Sequence, residues 1–284
     1  MSILASGYLS AMTTSPPTAL TIAGSDSGGG AGVQADLKTF LACRVHGMSA
    51  ITAVTVQNSL GVSGFYELPP NAVAEQIGSV ATDIGVGAAK TGMLASAAIM
   101  QAVAETVRRL RVFPLVVDPV AASQHGDPLL RPDALAALKE LIVPLATVVT
   151  PNLGEVALLT GIEVTGRDAM EDAARALHAL GPDWVLVKGG HLPGVAALDL
   201  LFDGERFVEL TSPRSDTAHT HGSGDTLAAA ICAGLARGMP VEDAVRSGKR
   251  FISGAIEGSF PLGAGLGPVG HFWRVREWPE SAGA

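Results

Sequence analysis

From Ala19 onward, short apolar runs alternate along the chain with longer stretches of helical period. The short runs are rich in β-branched residues, which favours strands buried on both faces. They cover residues 20–23, 50–56, 115–117, 147–149 and 184–187. Strands of this kind, separated by helices, are typical of a mainly parallel sheet that is covered on both sides. The pattern therefore predicts an α/β fold in which ligands bind at the carboxyl ends of the strands.

The stretches between these strands carry apolar residues every three or four positions, as the buried face of an amphipathic helix does. Four such stretches place their apolar members on one face: Val33, Leu37, Phe40 and Leu41; Val73, Ile77, Val80 and Ile84; Ile99, Val103, Val107 and Leu110; Ala173, Leu177 and Leu180. No repeat or linker-like tract interrupts the pattern after residue 18. We therefore expect a flexible extension over residues 1–18 and one domain over residues 19–284.

Composition narrows the class of function. The 284 residues carry a net charge of −8, which argues against broad binding to nucleic acid or to anionic membranes. No apolar run reaches the roughly 18 residues of a transmembrane helix, and residues 1–17 contain no Lys or Arg, unlike a signal peptide. Cys43 and Cys232 form no disulfide or metal-binding pattern. We expect both to be buried free thiols of a cytoplasmic protein.

The first candidate site is the glycine-rich turn at residues 24–32, which follows the first predicted strand. Glycine backbone between a strand and a helix lets a ligand approach closely and directs N–H groups at it. No Gly-Lys-Ser/Thr follows, so the turn is not a Walker A loop. Residues 30–35 fit the looser GxGxxA form of a dinucleotide fingerprint, but the next strand ends at Gln57 and Asn58 without the expected carboxylate. From the residues alone, a tight structural turn and a ligand-binding turn both stay open.

The second candidate is the run Gly222, Ser223, Gly224 and Asp225, which precedes a helical stretch at residues 227–235. Small residues before a helix leave unpaired N–H groups at its positive end, and these suit a transferring phosphoryl group. Asp225 falls in the first helical turn, where it should stay ionised and can accept the proton of a substrate hydroxyl. A carboxylate that only complements the helix dipole is the simpler alternative, but the crowded glycines favour a function.

Further polar groups follow predicted strands. Asn152 and Glu155 form either a capping box, which is the commoner arrangement, or an oxygen pair that orients a hydrated Mg²⁺. Asp118 directly follows the strand at residues 115–117. Lys188 follows the strand at residues 184–187 and is either a solvated strand end or a point charge for ATP phosphates.

Gln57 is the candidate for recognising a ring. Its carboxamide presents a donor and an acceptor side by side. The edge of an aminopyrimidine presents the complementary pair, a ring-nitrogen acceptor beside an exocyclic N–H donor. A surface amide without a ligand is the commoner state of a single Gln, so this hypothesis depends on the neighbouring motifs.

Taken together, these segments resemble the hydroxymethylpyrimidine/phosphomethylpyrimidine kinases of thiamine biosynthesis, within the ribokinase-like superfamily. The resemblance extends from Ala19 to Trp273, and its motifs stand in the family's order. They occupy residues 19–40, 51–58, 90–94, 116–120, 126–130, 150–152, 188–191 and 220–224.

The resemblance implies a three-layer αβα ribokinase-like fold with a mainly parallel central sheet, usually in a homodimer. It also implies two successive phosphorylations with ATP and Mg²⁺, first of the hydroxymethyl group and then of the monophosphate. The positions that match the pyrimidine pocket are Gly24, Asp36, Gln57, Met93 and Val120, with Asp36 toward the hydroxymethyl group. The other matching positions are Asn152, Lys188 and Thr220 for ATP, Asp118 and Glu155 for the metal, and Asp225 with the anion hole Gly222, Ser223 and Gly224 for catalysis.

Three positions depart from the family's pattern. Asp225 stands where most members have Cys. Because a carboxylate is charged where a thiol is largely protonated, we expect the second phosphorylation, on an anionic substrate, to be disfavoured. Residues 123–126 (Ser-Gln-His-Gly) stand in place of Ala-Lys-Ser-Gly, which removes a basic residue, and residues 263–265 (Gly-Ala-Gly) stand in place of Gly-His-Gly. Two alternatives remain: a pyridoxine or pyridoxal kinase, motivated by Asp225 and Gln124, and a non-catalytic pyrimidine-binding protein.

Overall fold

The centre of the fold is one nine-stranded sheet, formed within the residues that the computed structural model describes, which are 15–121, 129–130, 133–190, 192 and 196–275. The strands are β1 (Thr18–Ser25), β2 (His46–Asn58), β3 (Gly61–Glu67), β4 (Ala88–Thr91), β5 (Leu115–Val117), β6 (Val148–Val149), β7 (Trp184–Lys188), β8 (Ala196–Phe202) and β9 (Phe207–Pro213). Their order is β3-β2-β1-β4-β5-β6-β7-β8-β9. Six strands that are neighbours in this order, β2, β1, β4, β5, β6 and β7, are parallel to one another, and β3, β8 and β9 add antiparallel pairs at the two edges.

Helices cover both faces of this sheet. They are α1 (Gly32–Ala42), α2 (Pro70–Asp83), α3 (Ala97–Leu110), α4 (Ala134–Ala137), α5 (Leu153–Thr160), α6 (Arg167–His178), α7 (Ser223–Ala236) and α8 (Val241–Glu257). Helices α1, α7 and α8 pack into one apolar cluster, and α2 to α6 pack into the cluster on the opposite face. The predicted three-layer αβα architecture is confirmed.

The short strands are buried because each has an apolar layer on both sides. In β5, Leu115 and Val117 join one cluster while Val116 joins the other, and all three are fully buried. Alternate side chains of a strand point to opposite faces, so a strand between two helical layers has to be apolar throughout. This is why the continuous apolar runs located five of the strands correctly.

Two of the predicted helix faces, and one predicted buried thiol, are wrong in part. Leu41 is 74% exposed although Phe40 is fully buried, because α1 packs through a narrow stripe and successive side chains lie about 100° apart. Ile84 is 50% exposed because it lies just past the end of α2. Both cysteines are free thiols, and Cys232 is buried, but Cys43 is only half-buried.

The sheet topology opens a crevice between β1 and β4. From β1 the chain passes to β2 on one side, and β4 later joins β1 on the other side. At such a reversal the connections leave in opposite directions, so the carboxyl ends of the two strands are left open for a ligand. Gly24 at the end of β1 and Met93 just after β4 face each other there, since a Cβ on Gly24 would stand 3.1 Å from Met93 Sδ.

Candidate active site

A cavity of about 460 Å³ lies at this crevice and joins nearly all the residues that the sequence singled out. Four of the residues predicted for the pyrimidine ring line it, and we call it the ring cavity: Gly24, Gln57, Met93 and Val120. The residues predicted for nucleotide, metal and catalysis that line it are Asp118, Asn152, Glu155, Lys188, Thr220, Gly222, Ser223, Gly224 and Asp225. Gln57 and Asp225 therefore face one common space, as a kinase that holds a ring and transfers a phosphoryl group requires.

The start of α7 is shaped by Gly222. This residue adopts φ +77°, and a Cβ there would stand 1.9 Å from the carbonyl oxygen of Gly30, so only glycine fits. The Ser223 N–H already donates to the Thr220 carbonyl at 3.1 Å. The donors left for an anion at this helix end are therefore the N–H groups of Gly224 and Asp225, because first-turn N–H groups have no acceptor within their own helix.

Asp225 belongs to a buried chain of charges. Lys90, at the end of β4, places its Nζ 3.4 Å from Asp225 Oδ1 and 2.9 Å from Asp36 Oδ1. The Thr21 hydroxyl donates to Asp36 Oδ2 at 2.6 Å. Asp36 is fully buried and is absent from the residues that line the cavity. The expected direct contact of Asp36 with the hydroxymethyl group is thus corrected: Asp36 lies behind Lys90, one residue removed from the site.

The pKa shifts follow from this arrangement. Burial opposes the charge on Lys90, but Asp36, Asp225 and Asp118 outweigh it and raise the Lys90 pKa, so the ammonium stays charged. Burial raises the pKa of Asp36 to about 7; Lys90 works against that increase and the charge of Asp225 adds to it. Lys90 therefore sits between two carboxylates, only one of which reaches the cavity.

A second ion pair lies beside the first. Lys188 Nζ is 3.0 Å from Asp118 Oδ1, which also accepts from the Thr150 hydroxyl. Burial lowers the Lys188 pKa, but the charges of Asp118 and Glu155 raise it overall. Because Lys188 stays cationic and lines the cavity, it can serve as a point charge for a phosphate.

The capping box expected at Asn152 and Glu155 is present. The Asn152 side chain accepts from the Glu155 N–H at 3.0 Å, and Glu155 Oε2 accepts from the Asn152 N–H at 2.8 Å. This cap does not remove Glu155 from the site, because the carboxylate also lines the cavity. Burial raises the pKa of Glu155 to about 7, against the attraction of Lys188. The cap and a metal-orienting role are therefore compatible.

The glycine-rich turn is organised around Asp26. The Asp26 carboxylate accepts from the backbone N–H groups of Gly28, Gly30 and Ala31, each at 2.8 Å. Its Oδ2 also lies 3.0 Å from His221 Nε2. Burial raises the Asp26 pKa, but these hydrogen bonds, His221 first, lower it overall. The turn thus has a structural centre and also contributes Asp26 and Ala31 to the cavity wall.

Sequence reasoning assigned no role to three of these residues. Asp26 and His221 lie within glycine-rich motifs, in which the glycines are the recognisable signal. The contact between Asp26 and His221 joins positions 195 residues apart. Lys90 follows Ala88 and Ala89 in a four-residue strand that apolar runs did not reveal. Lys90 begins the motif at residues 90–94 on which the resemblance rests, and that motif was the available signal for it.

A second cavity, of about 380 Å³, opens at the α7 start, and we call it the nucleotide cavity because it contains the three residues predicted for ATP, Asn152, Lys188 and Thr220. It shares with the first cavity Asn152, Lys188, Thr220, Ser223 and Gly224. Its wall also includes the ion pair of Lys249 with Asp199, at 2.7 Å, and apolar residues of α7 and α8. The two cavities therefore adjoin at the α7 start.

Two of the departures from the family's pattern have different outcomes. Residues 123–126, with Gln124, lie outside the described residues. The segment with Gly263 and Gly265 packs against Ser59, which follows β2, and the Gly265 N–H donates to the Ser59 hydroxyl at 3.2 Å.

In the described part of the chain, no three His, Cys, Asp or Glu side chains are grouped to hold a metal ion. No helix of that part is long and apolar enough to cross a membrane.

Comparison with known proteins gives a consistent result. A sequence model described as phosphomethylpyrimidine kinase matches residues 26–270. The hydroxymethylpyrimidine/phosphomethylpyrimidine kinase of Mycobacterium leprae is 55% identical over 262 residues, which cover 90% of this chain and 94% of that protein. The phosphomethylpyrimidine kinase structure from Clostridium difficile has a TM-score of 0.75 at 41% identity, covering 84% of this chain and 99% of the other. The ADP complex of Bacillus subtilis pyridoxal kinase has a TM-score of 0.84 at 41% identity, covering 91% and 98%.

Proposed function

Because this chain belongs to the phosphomethylpyrimidine kinase family, we propose that it transfers a phosphoryl group from ATP to 4-amino-5-hydroxymethyl-2-methylpyrimidine, and then to the monophosphate, in thiamine biosynthesis. One observation carries the proposal beyond the family name. The carboxamide of Gln57 and the carboxylate of Asp225 line the same cavity, beside the N-terminus of α7. A ring held by the first group brings its hydroxymethyl group toward the second.

The nucleotide cavity is the proposed site of ATP. It meets the ring cavity at the α7 start, where Asn152, Lys188 and Thr220 line both. The Bacillus subtilis pyridoxal kinase, whose fold matches this chain, was solved with ADP. The charge of Lys188 and the N–H groups of Gly224 and Asp225 suit the phosphates, because a helix N-terminus favours an anion.

In the proposed reaction the substrate hydroxyl attacks the γ-phosphorus of ATP and its proton passes to the Asp225 carboxylate, while ADP leaves with the electrons of the broken bond. Lys90, at 3.4 Å, restrains and partly neutralises Asp225. Positioning and neutralisation of charge carry most of the catalysis in phosphoryl transfer, so an ionised carboxylate, which is a weak base, is sufficient. The charge of Asp225 opposes an anionic substrate, so we expect the monophosphate to react more slowly.

Asp118 and Glu155 fit a hydrated Mg²⁺. Both are buried carboxylates on the cavity wall, and each already uses an oxygen, Asp118 toward Lys188 and Glu155 toward the Asn152 N–H. Oxygen ligands through one or two carboxylates, with waters and substrate phosphates completing the shell, are what Mg²⁺ prefers. When bound, Mg²⁺ would neutralise phosphate charge; the two carboxylates would hold its waters.

ADP release tests the proposal. Purified protein with Mg²⁺ and ATP is given the pyrimidine alcohol, its monophosphate or pyridoxal in separate reactions, and kcat/KM is measured for each. We expect turnover of the alcohol, slower turnover of the monophosphate, and a preference over pyridoxal of more than about a hundredfold. Absence of substrate-dependent ADP with folded protein would contradict a kinase. A preference for pyridoxal would favour the second candidate, which the close match to the Bacillus subtilis pyridoxal kinase fold supports.

We also propose a homodimer in the cytoplasm. On one face of the β2–β3 ribbon, Val54, Val56 and Tyr66 are 45%, 48% and 72% exposed, and Val54 pairs with Tyr66 across the two strands. Exposed apolar side chains grouped on one face are typical of an association surface. Sedimentation of the wild type and of Val56→Asp tests the dimer: a wild type that sediments as a monomer contradicts it. The free thiols of Cys43 and Cys232 suit a reducing compartment.

A further inference from the structure

Four polar side chains form a continuous line across the ring side of the cavity. His221 Nε2 lies 3.0 Å from Asp26 Oδ2 and 3.4 Å from Gln57 Nε2. At the other end of the amide, Gln57 Oε1 lies 3.2 Å from Thr55 Oγ1. Thr55 and Asp26, at the two ends of the line, are buried, with 5% and 1% exposure, so their polar groups need partners within the protein. The donors and acceptors along the line therefore have to match one another.

The hydrogen bonds of Thr55 determine which atom of the Gln57 amide faces its hydroxyl. A hydroxyl has one hydrogen, and that of Thr55 is directed to the Ser25 carbonyl, at 2.7 Å. The hydroxyl oxygen is then an acceptor toward Gln57. The amide atom that faces Thr55 has to be the nitrogen, which has hydrogens, and not the oxygen.

The His221 end leads to the same orientation. An ionised carboxylate only accepts, so the His221 Nε2 beside Asp26 carries a hydrogen and donates it. That nitrogen then has no lone pair for the Gln57 N–H, and two donors would face each other at 3.4 Å. A half-turn of the Gln57 amide exchanges its oxygen and nitrogen in place. The nitrogen then donates to the Thr55 hydroxyl, and the oxygen, not a second donor, faces the His221 N–H, whose main acceptor stays Asp26. The partners of a side-chain amide, and not its shape, decide between these two orientations.

We propose that Asp26, His221 and Thr55 form an orientation network that fixes which side of the Gln57 carboxamide donates, and that this network selects the aminopyrimidine edge against its oxo isostere. The inference rests on the proposed function of the cavity. His221 and Thr55 are positioning residues, since they act on the ligand through Gln57.

The selection follows from the two hydrogen-bond patterns. With one N–H used by Thr55 and one lone pair directed to His221, Gln57 keeps one N–H and one lone pair, side by side and in a fixed order. The aminopyrimidine presents a ring-nitrogen acceptor beside an N–H donor, which this order matches. In the oxo isostere the ring nitrogen is a donor and the exocyclic oxygen an acceptor. Binding the isostere therefore requires the amide to turn back and break both contacts, which leaves buried groups unpaired.

The test compares the aminopyrimidine alcohol with its 4-oxo isostere in wild type and matched variants. Thr55→Val removes the hydroxyl at nearly constant shape, and Thr55→Ser retains it. His221→Leu removes the ring donor, and His221→Gln keeps a donor. The measured quantity is the ratio of kcat/KM for the two pyrimidines, followed by ADP release. A general loss of activity or stability lowers both values and cancels in this ratio, so a merely structural role does not change it.

We expect the wild type to prefer the amino compound by about a hundredfold or more. We expect Thr55→Val and His221→Leu to reduce that preference about tenfold, because a freely turning amide accepts either edge, and the Ser and Gln variants to retain most of it. An unchanged ratio in Thr55→Val and His221→Leu overturns the inference while leaving the kinase intact. If the wild type binds the pyrimidine but does not turn it over, the same ratio is taken from calorimetric Kd values. A failure of the proposed kinase activity is then distinguished from a failure of the orientation network. Failure to bind either compound overturns both proposals.

Discussion

The two sides of the ring cavity hold their functional groups by different physical means. One side, called here the transfer side, consists of Lys90, Asp36, Asp225, Asp118 and Lys188. The other, the ring side, consists of Asp26, Thr55, Gln57 and His221. Ion pairs hold the first set, whereas hydrogen bonds around one neutral amide hold the second.

The difference corresponds to what each side has to bind. Moving a phosphoryl group requires charge that is already in place, and in a buried site such charge persists only with a partner. A flat neutral ring offers no charge, so its recognition depends on the order of donors and acceptors. Charge removal should therefore affect kcat and folding on the transfer side, whereas on the ring side a lost donor should affect KM and substrate choice.

The largest effect is expected for Asp225→Asn. This change keeps the shape of the side chain but removes the proton acceptor and the negative charge beside Lys90, so kcat should fall by about 10²–10⁴. The melting temperature should change little, because the side chain is partly exposed and the amide can remain near Lys90. ADP release at saturating ATP and pyrimidine gives kcat.

The matched control is Asp243→Asn, an exposed carboxylate in the first turn of α8. It makes the same chemical change at a helix N-terminus away from the cavity, and its kcat should equal that of the wild type. If the two variants lose activity equally, Asp225 has no special role in the transfer.

The next effect concerns stability. In Lys90→Met the buried carboxylate of Asp36 loses its cation, and breaking a buried ion pair in this way typically costs about 3–5 kcal/mol in the free energy of unfolding. The double variant Lys90→Met with Asp36→Asn removes the unpaired charge and should recover much of that loss. It should not recover kcat, because Asp225 still lacks Lys90. Urea unfolding and ADP release measure the two quantities separately; recovery of both in the double variant would show that Lys90 only stabilises the fold.

How far the sequence predicted each side also differs. Gly222, Gly224, Asp225 and Gln57, which turn chemistry and strand ends single out as local signals, all line the ring cavity. The pair of Lys90 with Asp36 has no such signal, since residues 54 apart in sequence meet only when β4 lies beside β1. The contact of Asp26 with His221 was missed for the same reason. In the fold, short strands of small residues such as β4, and edge strands such as β3 and β9, lack the continuous apolar run that buried strands show.

On the ring side the expected effect is smaller and of another kind. Gln57→Leu leaves the polar edge of the bound ring unpaired, which should cost about 1–3 kcal/mol of binding and raise the KM for the pyrimidine by about ten- to a hundredfold. The KM for ATP and the unfolding curve should stay unchanged, because Gln57 lines the ring cavity but not the nucleotide cavity.

The control for this variant is Gln101→Leu, an exposed amide on α3 that is hydrogen-bonded to Glu105. Its steady-state kinetics should match the wild type. An unchanged pyrimidine KM in Gln57→Leu would show that the ring lies elsewhere in the cavity.

The smallest expected effect concerns the pH dependence of the free energy of unfolding, to which the core behind α7 and the ring side contribute differently. Burial lowers the pKa of His271 to about 4, with the charge of Lys38 adding to the shift, and its Nε2 lies 2.9 Å from the Thr226 hydroxyl on α7. An unfolded His has a pKa near 6.5, so between about pH 4 and 6.5 the unfolded chain binds one more proton at this residue. Stability at this residue therefore falls as the pH drops through that window, by at most about 1.4 kcal/mol per pH unit.

His271→Asn should flatten this part of the pH dependence, measured by urea unfolding at pH 5 and pH 8. Asp26 is expected to add nothing to the pH dependence of stability between pH 5 and pH 8, because its pKa lies below the ordinary 3.8 and it stays ionised throughout. Asp26→Asn should accordingly lower stability by a similar amount at both pH values. The reverse result, an unaltered slope in His271→Asn and a flattened one in Asp26→Asn, would place the acid-sensitive group on the ring side instead.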